Sequence, residues 1–117
     1  MIWTIKLFAY SALIIYAIYR DKNCYTLNQE YEICRYKNET IITNKNVEAE
    51  YSLIFLHGLN GSPKSFETFF IQNDILPKNF RVVLPKAPTV YVTVMNQYTN
   101  SWFDILSWDF HTNNINF

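Results

Sequence analysis

The stretch Ser52-Leu-Ile-Phe-Leu-His-Gly-Leu-Asn-Gly61 decides the fold of this chain. Its first five residues are apolar or nearly so, and the run ends abruptly at His-Gly. A short apolar run bounded by turn residues is typical of a buried strand. We therefore predict a buried strand over residues 52–56, followed directly by a tight loop over residues 57–61.

The residues after the loop predict a helix and a second strand. Ser62 and Pro63 suit the N-cap and the first position of a helix. Three aromatic residues then recur at helical spacing and predict a core-packing stripe: Phe66, Phe69 and Phe70. A strand follows over residues 80–84 and is stopped by Pro85. Strand, helix and strand over residues 52–84 form one βαβ unit, so we expect the two strands to be parallel, with a right-handed connection.

The N-terminal segment is strongly apolar. Residues 7–19 carry no charge, and thirteen such residues match the apolar region of a signal peptide. Extending the run back to Ile2 gives 18 residues, which is the lower limit for a spanning helix in which Lys6 snorkels. An uncleaved anchor, a cleaved signal peptide and a buried core helix all remain open. We assign residues 1–22 to a signal peptide or membrane anchor of unknown orientation, which predicts membrane association or entry into the secretory pathway.

Residues 23–50 form a polar segment with mixed charges. Residues 31–36 alternate like a half-exposed strand, and residues 40–43 suit its partner in a β-hairpin. Cys24 and Cys34 lie in this segment without the C-x-x-C spacing of a zinc or redox site. A disulfide in an oxidising compartment and two free thiols are both compatible with this spacing.

The composition excludes several classes of protein. A chain of 117 residues holds at most one ordinary domain, and a hydrophobic content of 50% excludes a disordered chain. The formal net charge is zero and the basic residues are scattered between Lys6 and Lys86, so no nucleic-acid partner is expected. With His57 and His111 as the only histidines, we expect no metal site and no other cofactor.

Three further motifs follow the second strand and carry a resemblance. They are Pro85-Lys-Ala-Pro88, Val92-Thr93 and Ser101-Trp-Phe-Asp104. Together with Leu53-Ile-Phe-Leu-His-Gly-Leu59, and in this order, they resemble the N-terminal part of the acyl-protein thioesterase and carboxylesterase family, also called the phospholipase/carboxylesterase family. The resemblance covers about residues 51–108 and leaves the first fifty residues outside.

This resemblance implies an α/β class and a partial α/β-hydrolase fold. Residues 51–117 would be the N-terminal part of the hydrolase domain, with the N-terminal strands and one βαβ unit. A hydrophobic N-terminal helix would precede it. The family's members are serine hydrolases that cleave acyl thioesters or carboxylic esters, so an acyl ester or an acylated protein is the implied substrate of the full protein.

The resemblance carries over one element of the catalytic site, which is the loop after the first strand. Leu59 matches the position whose backbone N–H helps to hold the oxyanion. The implied support of the loop comes from His57, Gly58, Asn60 and Gly61. The family's nucleophile is the serine of a Gly-x-Ser-x-Gly turn and is followed in the chain by Asp and His.

The chain departs from the family at the nucleophile. Gly58 and Gly61 are its two glycines and lie three positions apart, whereas Gly-x-Ser-x-Gly needs a separation of four. We therefore expect no catalytic residue in this chain and no activity of the chain alone. Asp104, His57 and His111 are not assigned as acid or base, because those residues follow the nucleophile in the family. We expect Asp104 to stabilise a local turn and His57 to form hydrogen bonds behind the loop.

Two functional hypotheses remain. The first is the N-terminal fragment of a serine hydrolase, arising from a truncated gene model or a split gene. The alternative is a complete, membrane-tethered interaction module that is derived from the fold and is not an enzyme. We favour the fragment, because parallel strands need cover on both faces of a sheet and the sequence offers one good covering helix.

Overall fold

The computed structural model of the chain describes residues 22–109 and the backbone of a short strand at Ile115–Asn116. The predicted signal peptide or membrane anchor over residues 1–22 therefore lies almost wholly outside the described residues, and so does His111. Within the described part of the chain, no helix has the length and apolar character needed to cross a membrane.

The centre of the fold is a mixed five-stranded sheet. Its strands are β1 (Asn23–Leu27), β2 (Tyr31–Arg35), β3 (Glu39–Asn44), β4 (Tyr51–Ile54) and β5 (Phe80–Pro85), in the spatial order β1-β2-β3-β5-β4. The pairs β1–β2, β2–β3 and β3–β5 are antiparallel. The strands β4 and β5 pair in parallel, with Leu53 opposite Val82. The predicted parallel pair is confirmed, and the two predicted hairpin strands fall in β2 and β3. The prediction that the strand beginning at Ser52 is buried is wrong, because β4 is the last strand of the described sheet and Ile54 is 65% exposed.

The connection from β4 to β5 is less helical than predicted. A 3-10 turn covers Pro63–Phe66, and the α-helix α1 covers only Phe69–Gln72. The side chain of Ser62 makes no capping hydrogen bond. The helix ends after one turn because the Asn73 side-chain Nδ2 donates to the carbonyl of Phe69 at 2.7 Å and Asp74 takes a left-handed φ of 51°. Asparagine and aspartate tolerate such local bonding and left-handed geometry, which competes with helix propagation.

The core lies between one face of the sheet and this connection. Its buried residues are Tyr31, Ile33, Ile42, Phe70, Leu76, Val82 and Leu84. The ring of Phe55 contacts those of Phe66 and Phe70, with centroid distances of 4.7 and 5.4 Å. Phe69 remains 41% exposed, so the predicted three-residue stripe is wrong at that position. A single helical turn cannot point all three rings at the sheet.

Two small pairs of strands follow β5. The hairpin consists of β6 (Thr89–Val92) and β7 (Gln97–Asn100), joined by a 3-10 turn at Thr93–Met95. The strand β8 (Asp104–Ile105) pairs antiparallel with β9 (Ile115–Asn116). The hairpin brings the end of β7 and the Ser-Trp-Phe-Asp motif back to the loop that follows β4.

The two cysteines are directly opposite each other in the register of β1 and β2. Cys24 and Cys34 form a disulfide, which decides between the two alternatives left open by the sequence. A carboxylate oxygen of Glu32 lies within 4.8 Å of both sulfurs. Because the sulfurs are bonded to each other, they are not thiolates that could ligate a metal ion.

Candidate functional site

The loop after β4 is a tight turn with one left-handed residue and one position where the backbone comes close to its neighbours. The Gly61 N–H donates to the Gly58 carbonyl at 3.0 Å and closes the turn. Asn60 takes a left-handed φ of 58°, a conformation that asparagine adopts more readily than most residues. A Cβ at Gly61 would lie 3.0 Å from the Gly58 oxygen and from Nδ1 of His57, so any other residue here would force the turn or the His57 ring to shift by a few tenths of an ångström.

His57 is buried behind the loop and uses both ring nitrogens. The Ala87 N–H donates to Nε2 at 3.0 Å. An acceptor at Nε2 leaves the proton of the neutral ring on Nδ1, which lies 2.8 Å from the Gly58 carbonyl and donates to it. With 3% of the residue exposed, His57 connects the loop to the end of β5 rather than presenting a ring nitrogen to a ligand.

The hairpin and the tryptophan after it hold the loop from the other side. Trp102 Nε1–H donates to the His57 carbonyl at 2.8 Å, and the two rings lie 5.2 Å apart. The Asn60 N–H donates to the Asn100 carbonyl at 2.8 Å, and the Thr99 hydroxyl donates to Oδ1 of Asn60 at 2.6 Å. Four tertiary hydrogen bonds, including that from Ala87, therefore fix the loop.

Leu59 occupies the exposed tip of this loop. Within residues 22–109, its backbone N–H donates to no protein acceptor, and neither does that of Gly58. Both residues are exposed to solvent. The loop thus presents two neighbouring hydrogen-bond donors on a turn that is rigidly held from behind.

Asp104 lies apart from the loop and serves the hairpin. Its two carboxylate oxygens accept the Thr93 N–H at 2.7 Å and the Thr93 hydroxyl at 2.6 Å. These hydrogen bonds hold the pKa of Asp104 below its usual value. The expectation that Asp104 stabilises a local turn is confirmed, because Thr93 begins the 3-10 turn between β6 and β7.

A buried polar cluster near the loop was not found from the sequence. Glu67 is 3% exposed and accepts hydrogen bonds from Nε and Nη2 of Arg35, each at 2.7 Å. The Tyr25 hydroxyl donates to the same carboxylate at 3.0 Å. Burial alone would raise the pKa of Glu67, but the hydrogen bonds from Arg35 and Tyr25 outweigh it, so the pKa is lowered. Partners 32 and 42 positions away leave no local signal in the sequence.

Three features define a partial α/β fold of the hydrolase type. They are the parallel pair of β4 and β5, the short helical connection between these strands, and the fixed turn at the carboxyl end of β4. A protein-family model described as Phospholipase/Carboxylesterase matches residues 37–116, and the chain belongs to this family. A search of curated proteins found no match. The match begins at residue 37, so the expectation that all of the first fifty residues lie outside the family was wrong for residues 37–50, which include β3.

Proposed function

We propose that this chain forms the oxyanion-binding, N-terminal part of a serine hydrolase that cleaves acyl thioesters or carboxylic esters. The family supports ester hydrolysis as the class of reaction. The observation that carries the proposal is the Leu59 N–H, which has no protein acceptor within residues 22–109 although its loop is fixed by tertiary hydrogen bonds.

The loop would act on the tetrahedral intermediate of acyl transfer. A serine oxygen attacks the acyl carbonyl, and negative charge develops on the carbonyl oxygen. A donor already held in place stabilises this charge without reorganisation, and removing one such donor typically costs on the order of 3 kcal/mol. Because Gly58 and Gly61 cannot frame a Gly-x-Ser-x-Gly turn, the nucleophile, acid and base would come from sequence outside these 117 residues.

The first experiment tests the chain alone. Neither hydrolysis of short p-nitrophenyl esters nor labelling by a fluorophosphonate probe is expected, because the chain lacks the turn that activates the serine. Stoichiometric labelling of any serine would contradict this expectation. The coding sequence beyond Phe117 should then encode Gly-x-Ser-x-Gly, followed by Asp and His. Its absence would favour the alternative, a membrane-tethered interaction module.

The second experiment tests the Leu59 N–H in a longer polypeptide that also contains the Gly-x-Ser-x-Gly turn. Leu59→Pro removes the N–H, and since that group has no protein acceptor in the described chain, the fold loses no hydrogen bond. We expect kcat to fall by about 100-fold to 1,000-fold. Leu59→Ala is the matched control, because it keeps the N–H and should retain most of the rate. Equal rates for the two variants would exclude Leu59 from the oxyanion hole.

Membrane association or entry into the secretory pathway is part of the same proposal. The Cys24–Cys34 disulfide supports it, because disulfides persist mainly in oxidising compartments. Residues 1–30 fused to a soluble fluorescent protein should direct it to membranes or into the secretory pathway. A uniform cytosolic signal would contradict this part of the proposal.

A further inference from the structure

A basic cleft lies at one end of the sheet, next to the loop that follows β4. Its volume is about 370 Å³, which is in the range of small-molecule sites. The walls come from the turn between β2 and β3, from the segment that follows the loop, and from the end of β5. The charged residues that line it are Arg35, Lys37, Glu39, Lys64, Glu67 and Lys86.

The strand register explains why these residues meet. Arg35 is opposite Thr40, and Thr40 is opposite Leu84, so the end of β2, the start of β3 and the end of β5 lie at the same end of the sheet. The strand β4 also terminates at this end, because Ile54 is opposite Val83. The cleft therefore lies at the same end of the sheet as the loop after β4.

Two short connections link the cleft to the loop. Ser62 and Pro63 line the cleft and follow Gly61 directly. On the opposite wall, the Lys86 N–H donates to the Asn38 carbonyl at 2.8 Å, which joins the end of β5 to the β2–β3 turn. The residue after Lys86 is the one whose N–H binds His57.

The charge of the cleft is unlike that of the whole chain. Four of the ten basic residues of a chain with no net charge line this one cleft. The guanidinium of Arg35 is held by Glu67, so this pair is neutral. Three exposed lysines then stand against the one further carboxylate of Glu39, which leaves two positive charges.

We propose that this cleft binds the phosphate group of a phosphomonoester. Such a group carries a charge of about −1.5 to −2 at neutral pH, which matches the two positive charges better than a single carboxylate does. Lysine ammonium groups are point charges that suit phosphate recognition without a fixed planar geometry. Lys37, Lys64 and Lys86 supply the charge, and the Arg35–Glu67 pair keeps the wall rigid.

An adjoining cleft provides room for the rest of the ester. It has a volume of about 480 Å³, shares Lys37 and Lys86 with the first cleft, and continues along Pro88, Thr89 and Asn100. Its added lining carries no charge, so an alcohol or glycerol moiety suits it. A soluble phosphate ester and the headgroup of a phosphatidate-type lipid both present this chemistry.

The test measures binding to the intact chain by equilibrium dialysis with inorganic phosphate at neutral pH and constant ionic strength. We expect saturable binding that is stronger than that of acetate. Replacing Lys37, Lys64 and Lys86 together by glutamine should weaken binding by about tenfold or more. Lys45→Gln is the matched control, because Lys45 is exposed and lies outside both clefts.

Each of the three single Lys→Gln variants is measured as well, so a folding defect of the triple variant does not decide the result. Glycerol phosphate and neutral vesicles with or without phosphatidate distinguish a soluble ester from a lipid headgroup. Absence of saturable phosphate binding, equal binding of acetate, or an equal loss in Lys45→Gln would overturn the proposal. Because no catalysis is measured, this failure is distinct from a failure of the proposed hydrolase function.

Discussion

Among single residues, Glu67 carries the buried charge that ties the β4–β5 connection to β1 and β2. Only 4% of its side chain is exposed, against 38% for Arg35. Removing one partner of a fully buried pair costs about 3–5 kcal/mol, whereas breaking an exposed pair costs about 0–1 kcal/mol. For this half-exposed pair we expect Glu67→Gln to lower the free energy of unfolding by about 2 kcal/mol in urea titrations.

The control for this variant is Lys78→Gln. The Lys78 ammonium pairs with Glu30 at 3.0 Å, but 66% of the Lys78 side chain is exposed. Its loss should lower the free energy of unfolding far less than the loss of the Glu67 charge does, because exposed ion pairs contribute little to stability. Equal losses in the two variants would show that burial of Glu67 contributes nothing.

The lowered pKa of Glu67 gives a second prediction for the same residue. A carboxyl with a lower pKa in the folded chain than in the unfolded chain stabilises the fold above its unfolded pKa. That stabilisation is lost as the pH falls through the folded pKa. The unfolded value is 4.5, so the unfolding free energies of wild type and Glu67→Gln should differ at neutral pH and converge below pH 4.5. A difference that stays constant down to the most acidic pH tested would contradict this explanation.

At the scale of the loop, His57 is the residue on which the fixed backbone depends. Ala87 is 1% exposed, so its N–H would be buried without an acceptor in His57→Phe. An unsatisfied buried donor costs about 1–3 kcal/mol. We expect this loss in the free energy of unfolding, together with faster hydrogen exchange at the Asn60 amide.

Leu59→Ala serves as the control for His57→Phe, since it shortens an exposed side chain and keeps the backbone bonds of the loop. Its free energy of unfolding should stay within about 0.5 kcal/mol of the wild-type value. If His57→Phe matched the wild type in both stability and exchange, the hydrogen bond from Ala87 would not be what holds the loop.

Four of the five strands of the central sheet could be predicted from the sequence, whereas the helix could be predicted only in part. Alternation and short apolar runs are local signals, and they located β2, β3, β4 and β5 and the turn after β4. The length of α1 depended on competition at Asn73 and Asp74, where side-chain bonding and a left-handed residue ended the helix. Spacing of aromatic residues cannot reveal this competition, because it describes only where a continued helix would point them.

The contacts around the loop were beyond prediction for a different reason. Lys37, Lys64 and Lys86 look scattered in the sequence. The register of β2, β3 and β5 and the packing of the β4–β5 connection on these strands bring them to one cleft. Glu67 and Arg35 likewise meet because β2 lies under the connection. Such pairings depend on which strands are neighbours, and no local pattern contains that information.

At the scale of the whole sheet, the two faces are covered unequally. Leu53 and Phe55 pack against the core, so alternation directs Ile54 to the opposite face, where it is 65% exposed. Leu56 is 54% exposed. The strand β4 is also the last strand of the sheet in the described part of the chain, so its outer backbone edge has no neighbouring strand there.

We therefore predict that residues 23–117 associate rather than forming a stable monomer. An open apolar edge strand pairs with other chains unless charge, proline or a covering element protects it. Arg81 lies on the neighbouring strand β5, and its Nε–H donates to the Ser52 hydroxyl, so its charge does not protect Ile54.

Light scattering should show species larger than a monomer, and amide peaks should be broad in NMR spectra. Ile54→Lys should shift the protein toward the monomer, whereas Ile75→Lys, at a site that is 54% exposed but lies outside the sheet, should not. A monodisperse wild-type monomer with dispersed peaks and a cooperative melt would contradict the prediction and favour a complete module over a fragment.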